Sequence, residues 1–371
     1  MTSEPTSEPT SEPTSEPTSG ATSETSRETT PETTSGAAAA PRDRRDGRPR
    51  VLLVGIGPTT RDALEALAER FDVVALVRPG ADDTTAHADK LGVPVEPGTR
   101  IADIEAAVER LAPDAVVVSS YDRILPDRLL SRCPFVNVHY SPLPRGRGRA
   151  NVNWAIVNGD TETAISVHTM APGLDAGGIL HQESVPIGPR DTVTDLYDRL
   201  NSRQRAVLAD AVARRLTGDE GDPQDHSLAT YGCTRLPEDG EIDWSAPTAA
   251  TDRLIRALTP PYPGAFTHLG LETLRVLRAE PAPDGVVYTG RVPGRVVMVD
   301  RTGAGWIDVL TGDGILRIHE VALGDDPAAT VPGAAVPAAS VVKSVKTTLG
   351  LRTADLLRLL RAATSREPGD A

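Results

Sequence analysis

The feature that most restricts this chain is a pair of apolar runs, Val51-Leu-Leu-Val54 and residues 73–77, on either side of a segment, 62–71, whose apolar residues recur at helical spacing. Four or five consecutive apolar residues without polar alternation suit a strand covered on both faces, as strands of a parallel sheet are. The three segments therefore predict a βαβ unit. A helix over 101–111, a strand over 115–119 and a strand ending in Asn137-Val-His139 continue the alternation. The expected fold class is α/β: a doubly wound, mostly parallel, Rossmann-like sheet with helices on both faces, binding its ligands beyond the carboxyl ends of the strands. Gly55-Ile-Gly57 closes the first strand, but Thr60 stands where a dinucleotide fingerprint needs its third glycine, so that reading is rejected.

Further along, the pattern shortens. After a helix over 249–258 and the turn Pro260-Pro-Tyr-Pro-Gly264, runs at 265–269, 274–277, 290–297, 307–310 and 314–321 predict a smaller, β-barrel-like C-terminal domain. Residues 353–362 predict an amphipathic helix. The expected division is a disordered N-terminal tail (1–49), a catalytic domain (50–223), a linker (224–239), a β-rich domain (240–330) and an extension with one helix (331–371). In the tail, Thr-Ser-Glu-Pro repeats over residues 2–17, and the composition stays Ser, Thr, Glu and Pro to about Pro41, with almost nothing to bury against the entropy of ordering. Deleting residues 2–41 is expected to change neither stability nor rate. Arg42, Arg44, Arg45, Arg48 and Arg50 read as a solvated hinge.

No apolar run approaches the ~20 residues of a membrane span, and the start lacks the pattern of a secretory signal, so a cytoplasmic location is expected. Cys133 and Cys233 are too few for a disulfide framework and lie outside metal-site spacings; no metal is expected. A formal net charge of −13 argues against a surface that holds nucleic acid or anionic membrane by charge, although part of it belongs to the tail glutamates.

In Phe135-Val-Asn-Val-His139 the pleat puts Asn137 and His139 on one side. Ser141-Pro-Leu-Pro-Arg-Gly-Arg-Gly148 cannot prolong the strand, so the pair stands at its carboxyl end. Alone, such a pair is more often structural than catalytic; the neighbouring motifs reverse that. Asn137-x-His139-x-Ser141-x-Leu143-Pro144, then Arg147-Gly148, Trp154-Ala-Ile, Asn158-Gly159 and Asp175-x-Gly177 together resemble the signature of the folate-dependent formyltransferase family. Glu238-Asp-Gly-Glu-Ile-Asp-Trp244 and Arg256-Ala-x-x-Pro-Pro-Tyr-Pro-Gly-Ala-Phe266 are similar to the second domain of its two-domain type, whose members formylate methionyl-tRNA or UDP-4-amino-4-deoxy-L-arabinose. The branch acting on glycinamide ribonucleotide lacks that domain.

The resemblance implies an enzyme that moves a formyl group from 10-formyltetrahydrofolate to a primary amine. Asn137 would donate to the formyl oxygen, His139 would stabilise or protonate that oxygen or shuttle the amine proton, and Asp175 would orient and charge-support the imidazole. Arg123-Ile124-Leu125-Pro126 resembles the loop whose backbone holds the pterin, facing the loop that carries Gly173; a helix start with Pro126 in its first turn is a compatible reading. Ser141 and Arg147 are expected at the acceptor, with Arg145 and Arg149 as further phosphate partners. Gly146 stands where relatives carry an aromatic residue, which predicts a more mobile or differently shaped loop. His168 reads as a hydrogen-bonded structural residue.

Formylation of methionyl-tRNA would call for a phosphate-binding surface and a basic insertion after the second strand, whereas Arg78-Pro-Gly-Ala-Asp-Asp follows it, and residues 231–330 contain no lysine and more Asp and Glu than Arg. The sequence therefore favours a small-molecule acceptor, an amino-sugar nucleotide, over tRNA, with a homodimer as a frequent state of the relatives that modify sugars. A non-catalytic folate-binding scaffold and a formate-releasing hydrolase are the rivals from other classes.

Overall fold

The computed structural model describes residues 47–57, 59–283, 285–324 and 334–364. Nearly all of the expected tail, with Arg42, Arg44 and Arg45, lies outside the described residues, as does the expected boundary at 330.

The first half builds β1 (Arg50–Val54), α1 (Thr60–Ala68), β2 (Asp72–Arg78), α2 (Asp83–Lys90), β3 (Val95–Pro97), α3 (Ile101–Leu111), β4 (Ala115–Ser119), α4 (Asp127–Leu130), β5 (Phe135–His139), β6 (Arg147–Gly148), α5 (Asn151–Asn158), β7 (Glu162–Thr169), β8 (Ile179–Pro186) and α6 (Val193–Leu216). Seven of these strands form one sheet in the order β3-β2-β1-β4-β5-β7-β8. It is parallel through β5, and β7 and β8 join antiparallel. Every residue of β1 and β4 is buried. Val51, Leu53, Val117, Val136 and Val138 pack under α1 and α6 on one face. On the other, Leu52, Val54, Val116, Val118 and Phe135 pack under α3 and α4. Parity then assigns Asn137 and His139 to the Phe135 side, where the short α4 leaves the strand end uncovered.

The long helix α6 escaped sequence reading because its buried stripe is thin: Leu196, Leu200, Gln204, Leu208 and Ala211 recur among charged residues. Thr192 caps it in a box with Asp195.

The second half consists of β9 (Tyr231–Gly232), which pairs with β6, then α7 (Thr248–Ala257), β10 (Ala265–Leu269), β11 (Glu272–Pro281), β12 (Val296–Val299), β13 (Ile307–Leu310), β14 (Ile315–Leu323), β15 (Val336–Pro337), α8 (Ala338–Val341) and α9 (Thr353–Thr364). Its six-stranded antiparallel sheet runs β10-β11-β14-β13-β12, with β15 on β14. Two expectations are corrected. The strand expected over 290–297 is confined to β12, because Pro293 and Gly294 (φ +79°) turn the chain before it. The extension expected from 331 supplies core: Ala338, Val342 and Leu349 pack with Trp244, Val276, Val309 and Ile318. Residues 347–350 also link both sheet edges, since Val296 N–H donates to the Thr347 carbonyl and Gly350 N–H donates to that of His268. Among the described residues no helix is long and apolar enough to cross a membrane.

Candidate active site

At the carboxyl ends of β1, β4 and β5 lies a cleft of about 580 Å³, lined among others by Asn137, His139 and Asp175. Three of the four non-glycine residues with positive φ among the described residues, Ser120 (58°), Ala150 (59°) and Asp175 (48°), also line it. Backbone strain of this kind persists only where the surroundings enforce it.

The register of β5 against β7 places Asn137 directly opposite His168. The His168 Nδ1–H donates to the Thr169 carbonyl at 2.9 Å, which leaves Nε2 as an acceptor. Asn137 Nδ2 donates to that Nε2 at 3.0 Å and, more weakly, to Asp175 Oδ1 at 3.4 Å. Sequence reading thus placed His168 rightly on hydrogen bonds, but missed that its partner is the Asn137 amide. The signal was available: Ser166 and His168 repeat the two-residue spacing of Asn137 and His139.

His139 Nε2 lies 2.7 Å from the Gly146 carbonyl oxygen, which can only accept, so the proton sits on Nε2. Nδ1 lies 3.7 Å from Asp175 Oδ2, beyond a direct hydrogen bond but close enough for strong Coulomb coupling. Burial drives the His139 pKa below its ordinary value, against the opposing pull of Asp175 and the Gly146 carbonyl. Burial likewise acts to raise Asp175, but the neighbouring His168 and His139 and the Gly148 N–H outweigh it and hold the carboxyl at about 2. The Gly148 N–H donates to Asp175 Oδ2 at 2.8 Å. The pair is therefore a neutral imidazole beside a fixed carboxylate.

Gly146 is not the loose point expected of the loop. Its φ is +68°, its N–H donates to Thr230 Oγ1 at 2.9 Å, and its carbonyl takes both His139 and the Ser141 hydroxyl, the latter at 2.8 Å. The left-handed backbone favours glycine here, and a Cβ would also press on Ser141 Cβ at 3.0 Å.

Arg123, Ile124, Leu125 and Gly173 all line the cleft. Ile124 and Leu174 are 69% and 40% exposed, so apolar surface flanks the opening from both loops. Ser141 and Arg147, expected at the acceptor, do not line the cleft. Both are buried; Ser141 bonds the Arg145 and Gly146 carbonyls, and Arg147 donates to Gln224 Oε1 at 2.7 Å and His226 Nδ1 at 2.8 Å. Loop carbonyls and a buried amide are the partners of these groups. Arg149 is exposed and lines the cleft, and Arg145 is exposed without lining it. Gly55 and Gly57 have a steric explanation, since Cβ atoms there would strike Ser119 O at 2.4 Å and Ser120 Cβ at 2.6 Å. Among the described residues no group of three or more His, Cys, Asp or Glu could hold a metal ion.

Comparison with known proteins bears on the chemistry. A sequence model described as formyl transferase matches residues 84–212, and one described as formyl transferase, C-terminal domain, matches 236–333. The methionyl-tRNA formyltransferase of Thiobacillus denitrificans is 35% identical over 288 residues, 73% of this chain and 91% of the relative. That of Anaeromyxobacter dehalogenans is 38% identical over 251 residues, 66% of this chain and 79% of the relative. Among solved structures, HypX from Aquifex aeolicus in complex with tetrahydrofolic acid superposes with a TM-score of 0.58 at 17% identity, covering 80% of this chain and 47% of that one, a likeness of fold alone. Both halves of one enzyme architecture are thus present in order, aligned with nearly the whole length of a relative, and the chain belongs to the formyltransferase family in its two-domain form, an enzyme of formyl transfer.

Proposed function

We propose that this protein transfers the formyl group of 10-formyltetrahydrofolate to the amine of methionyl-tRNA. The observation that carries the chemistry is the convergence of Asn137, His139 and Asp175 on one end of a single cleft. Attack of an amine on a formyl carbon forms a C–N bond, puts negative charge on the formyl oxygen and leaves a proton to be removed from nitrogen; the bond from that carbon to the donor nitrogen then breaks. The long 3.4 Å contact from Asn137 to Asp175 marks the N–H that would turn to the oxygen. His139, neutral and with its Nε2–H held by Gly146, offers Nδ1 to the amine proton and can return that proton to the departing nitrogen. Asp175 stabilises the imidazolium formed in between.

The donor's flat pterin suits the space between the Arg123-Ile124-Leu125 loop and the Gly173 loop, where backbone groups and the exposed Ile124 and Leu174 lie. The acceptor assignment rests on the relatives, which carry the name methionyl-tRNA formyltransferase and align along both domains. It reverses the preference drawn from charge. The amino-sugar nucleotide is kept as a second reading because residues 231–330 hold no lysine and only Pro79 to Asp82 join β2 to α2.

The test is incubation of the full chain with 10-formyltetrahydrofolate and either initiator methionyl-tRNA or a panel of amino-sugar nucleotides. Formylmethionyl-tRNA is the expected product, lost in Asn137→Ala. Formylated sugar alone would transfer the assignment to the second reading. Folate turnover without any formylated product would indicate a hydrolase, and binding without turnover a scaffold; either overturns the proposal.

A further inference from the structure

The carboxylate of Asp175 has no helix or strand of its own to hold it, because it sits in the loop between β7 and β8 with φ at +48°. Few L-residues keep that conformation unaided. The loop is held from a distant part of the chain. The buried Gln224 donates from Nε2 to the Asp175 carbonyl at 2.8 Å and to the Gly177 carbonyl at 2.7 Å, one on each side of Ala176. Its Oε1 accepts from the buried Arg147 guanidinium at 2.7 Å, which fixes which end of the amide faces the loop. The segment carrying Gln224 is itself fastened to β8 by reciprocal backbone bonds between Asp222 and Ile179, at 2.8 and 2.9 Å. Arg147 lies next to Gly148, whose N–H holds the other end of the same aspartate, its Oδ2. Backbone and carboxylate of Asp175 are thus gripped from two directions, by residues 147–148 and by residue 224.

We propose that Gln224, oriented by Arg147, is a positioning residue for formyl transfer: it sets the Asp175 carboxylate at its working distance from the His139 imidazole. This rests on the catalytic reading of Asp175 given above. The arrangement gives the segment after α6 a part in catalysis, and it explains why an arginine next to the active-site loop points inward. A 3.7 Å spacing between carboxylate and imidazole leaves little latitude, and displacement of such a group by about 1 Å costs on the order of 100-fold in rate.

The test uses Gln224→Ala and Gln224→Glu in the full-length protein. The glutamate keeps the size and the Arg147 partner but loses both N–H donors to the loop. Both variants are expected to retain a cooperative thermal transition and to lose about 100-fold in kcat with the donor KM changed little. In an Asp175→Asn background Gln224→Ala should add less than about threefold, because the two act through one step. An NMR titration of the His139 ring provides a readout free of turnover. Burial lowers the imidazole pKa most and His168 adds to that, while Asp175 and the Gly146 carbonyl raise it; a carboxylate displaced in Gln224→Ala pulls upward less, so the titration should move further down. A lower melting temperature with wild-type kcat and an unmoved His139 titration would show a merely structural glutamine and overturn the proposal. Additive losses in the double variant would overturn it as well. A shifted titration in a protein that transfers no formyl group would instead sink the catalytic reading and leave the positioning intact.

Discussion

Replacing Asp175 by Asn removes one charge and almost no volume, so it isolates the electrostatic part of the site. The asparagine oxygen can still accept from the Gly148 N–H, now 2.8 Å from Asp175 Oδ2, and the Gln224 bonds to the loop's main chain are untouched, whereas the weak 3.4 Å bond from Asn137 Nδ2 to Oδ1 is lost. What chiefly disappears, on the proposed mechanism, is attraction between a carboxylate and an imidazolium 3.7 Å away. Coulomb's law with an effective dielectric of about 20 puts that attraction near 4 kcal/mol, and partial solvation of the cleft reduces it to roughly 3. Each 1.4 kcal/mol is tenfold in rate, so kcat should fall by about 100- to 1,000-fold. The pH profile carries a second signature. His139 already titrates below its ordinary range because it is buried, so the acid limb of the wild-type profile should lie below about pH 6.5. Loss of the aspartate charge removes a force that raises this pKa, and the limb should move to still lower pH. Steady-state formyl transfer between pH 4.5 and 8.5, followed by the appearance of tetrahydrofolate, measures both. A variant within fivefold of wild type, or one whose acid limb moves upward, would refute the pairing of Asp175 with His139.

Other perturbations address stability. The Asp175 carboxyl is held at about 2, below its unfolded value near 3.9, so its contribution is fully present above pH ~4 and is lost as the pH falls towards 2. Urea titrations of wild type and Asp175→Asn should therefore converge across that window, and parallel curves would contradict the depressed pKa. Gly177→Ala should destabilise by at least ~3 kcal/mol, because its Cβ would lie 1.7 Å from the Thr169 carbonyl oxygen and only main-chain movement relieves that contact; an unchanged denaturation midpoint would show that the loop gives way. Ile318→Ala, at a fully buried position of the second core, should cost about 2 to 5 kcal/mol by chemical denaturation, whereas a loss below 1 would mean that this core collapses around the gap.

The strand Phe135–His139 was legible because its message is local. Pleat parity assigns Asn137 and His139 to one side, and a proline-rich stop places them at the strand's end, whatever the rest of the chain does. The same parity in Ser166 and His168 was visible too, but it meant little without the register that sets His168 against Asn137. Asp175 came from motif resemblance alone, since a loop carboxylate between glycines has no periodicity to read. Ser141 and Arg147 lie away from the cleft lining for a complementary reason. A polar side chain near such a histidine looks free in a sequence; the loop's own fold gives Ser141 the Arg145 and Gly146 carbonyls, and chain packed from 77 residues away gives Arg147 its Gln224 partner. The short link after β2 and the lysine-free stretch 231–330 pointed towards a sugar acceptor, whereas the relatives carry the name methionyl-tRNA formyltransferase; composition of a stretch does not describe how its charge is distributed on the folded surface.

By itself, the order of apolar runs and helical stripes determined a doubly wound sheet followed by a β-rich second half, since side-chain periodicity and turn chemistry are properties of neighbours along the chain. Only the tertiary structure decided that β7 and β8 enter antiparallel, that residues 347–350 link the edges of the second sheet, that Gln224 bonds the loop of Asp175, and that His168 takes the Asn137 amide. Those are pairings between segments tens of residues apart, chosen by which surfaces can be buried together with most buried donors and acceptors satisfied, a condition that no local stretch of sequence states.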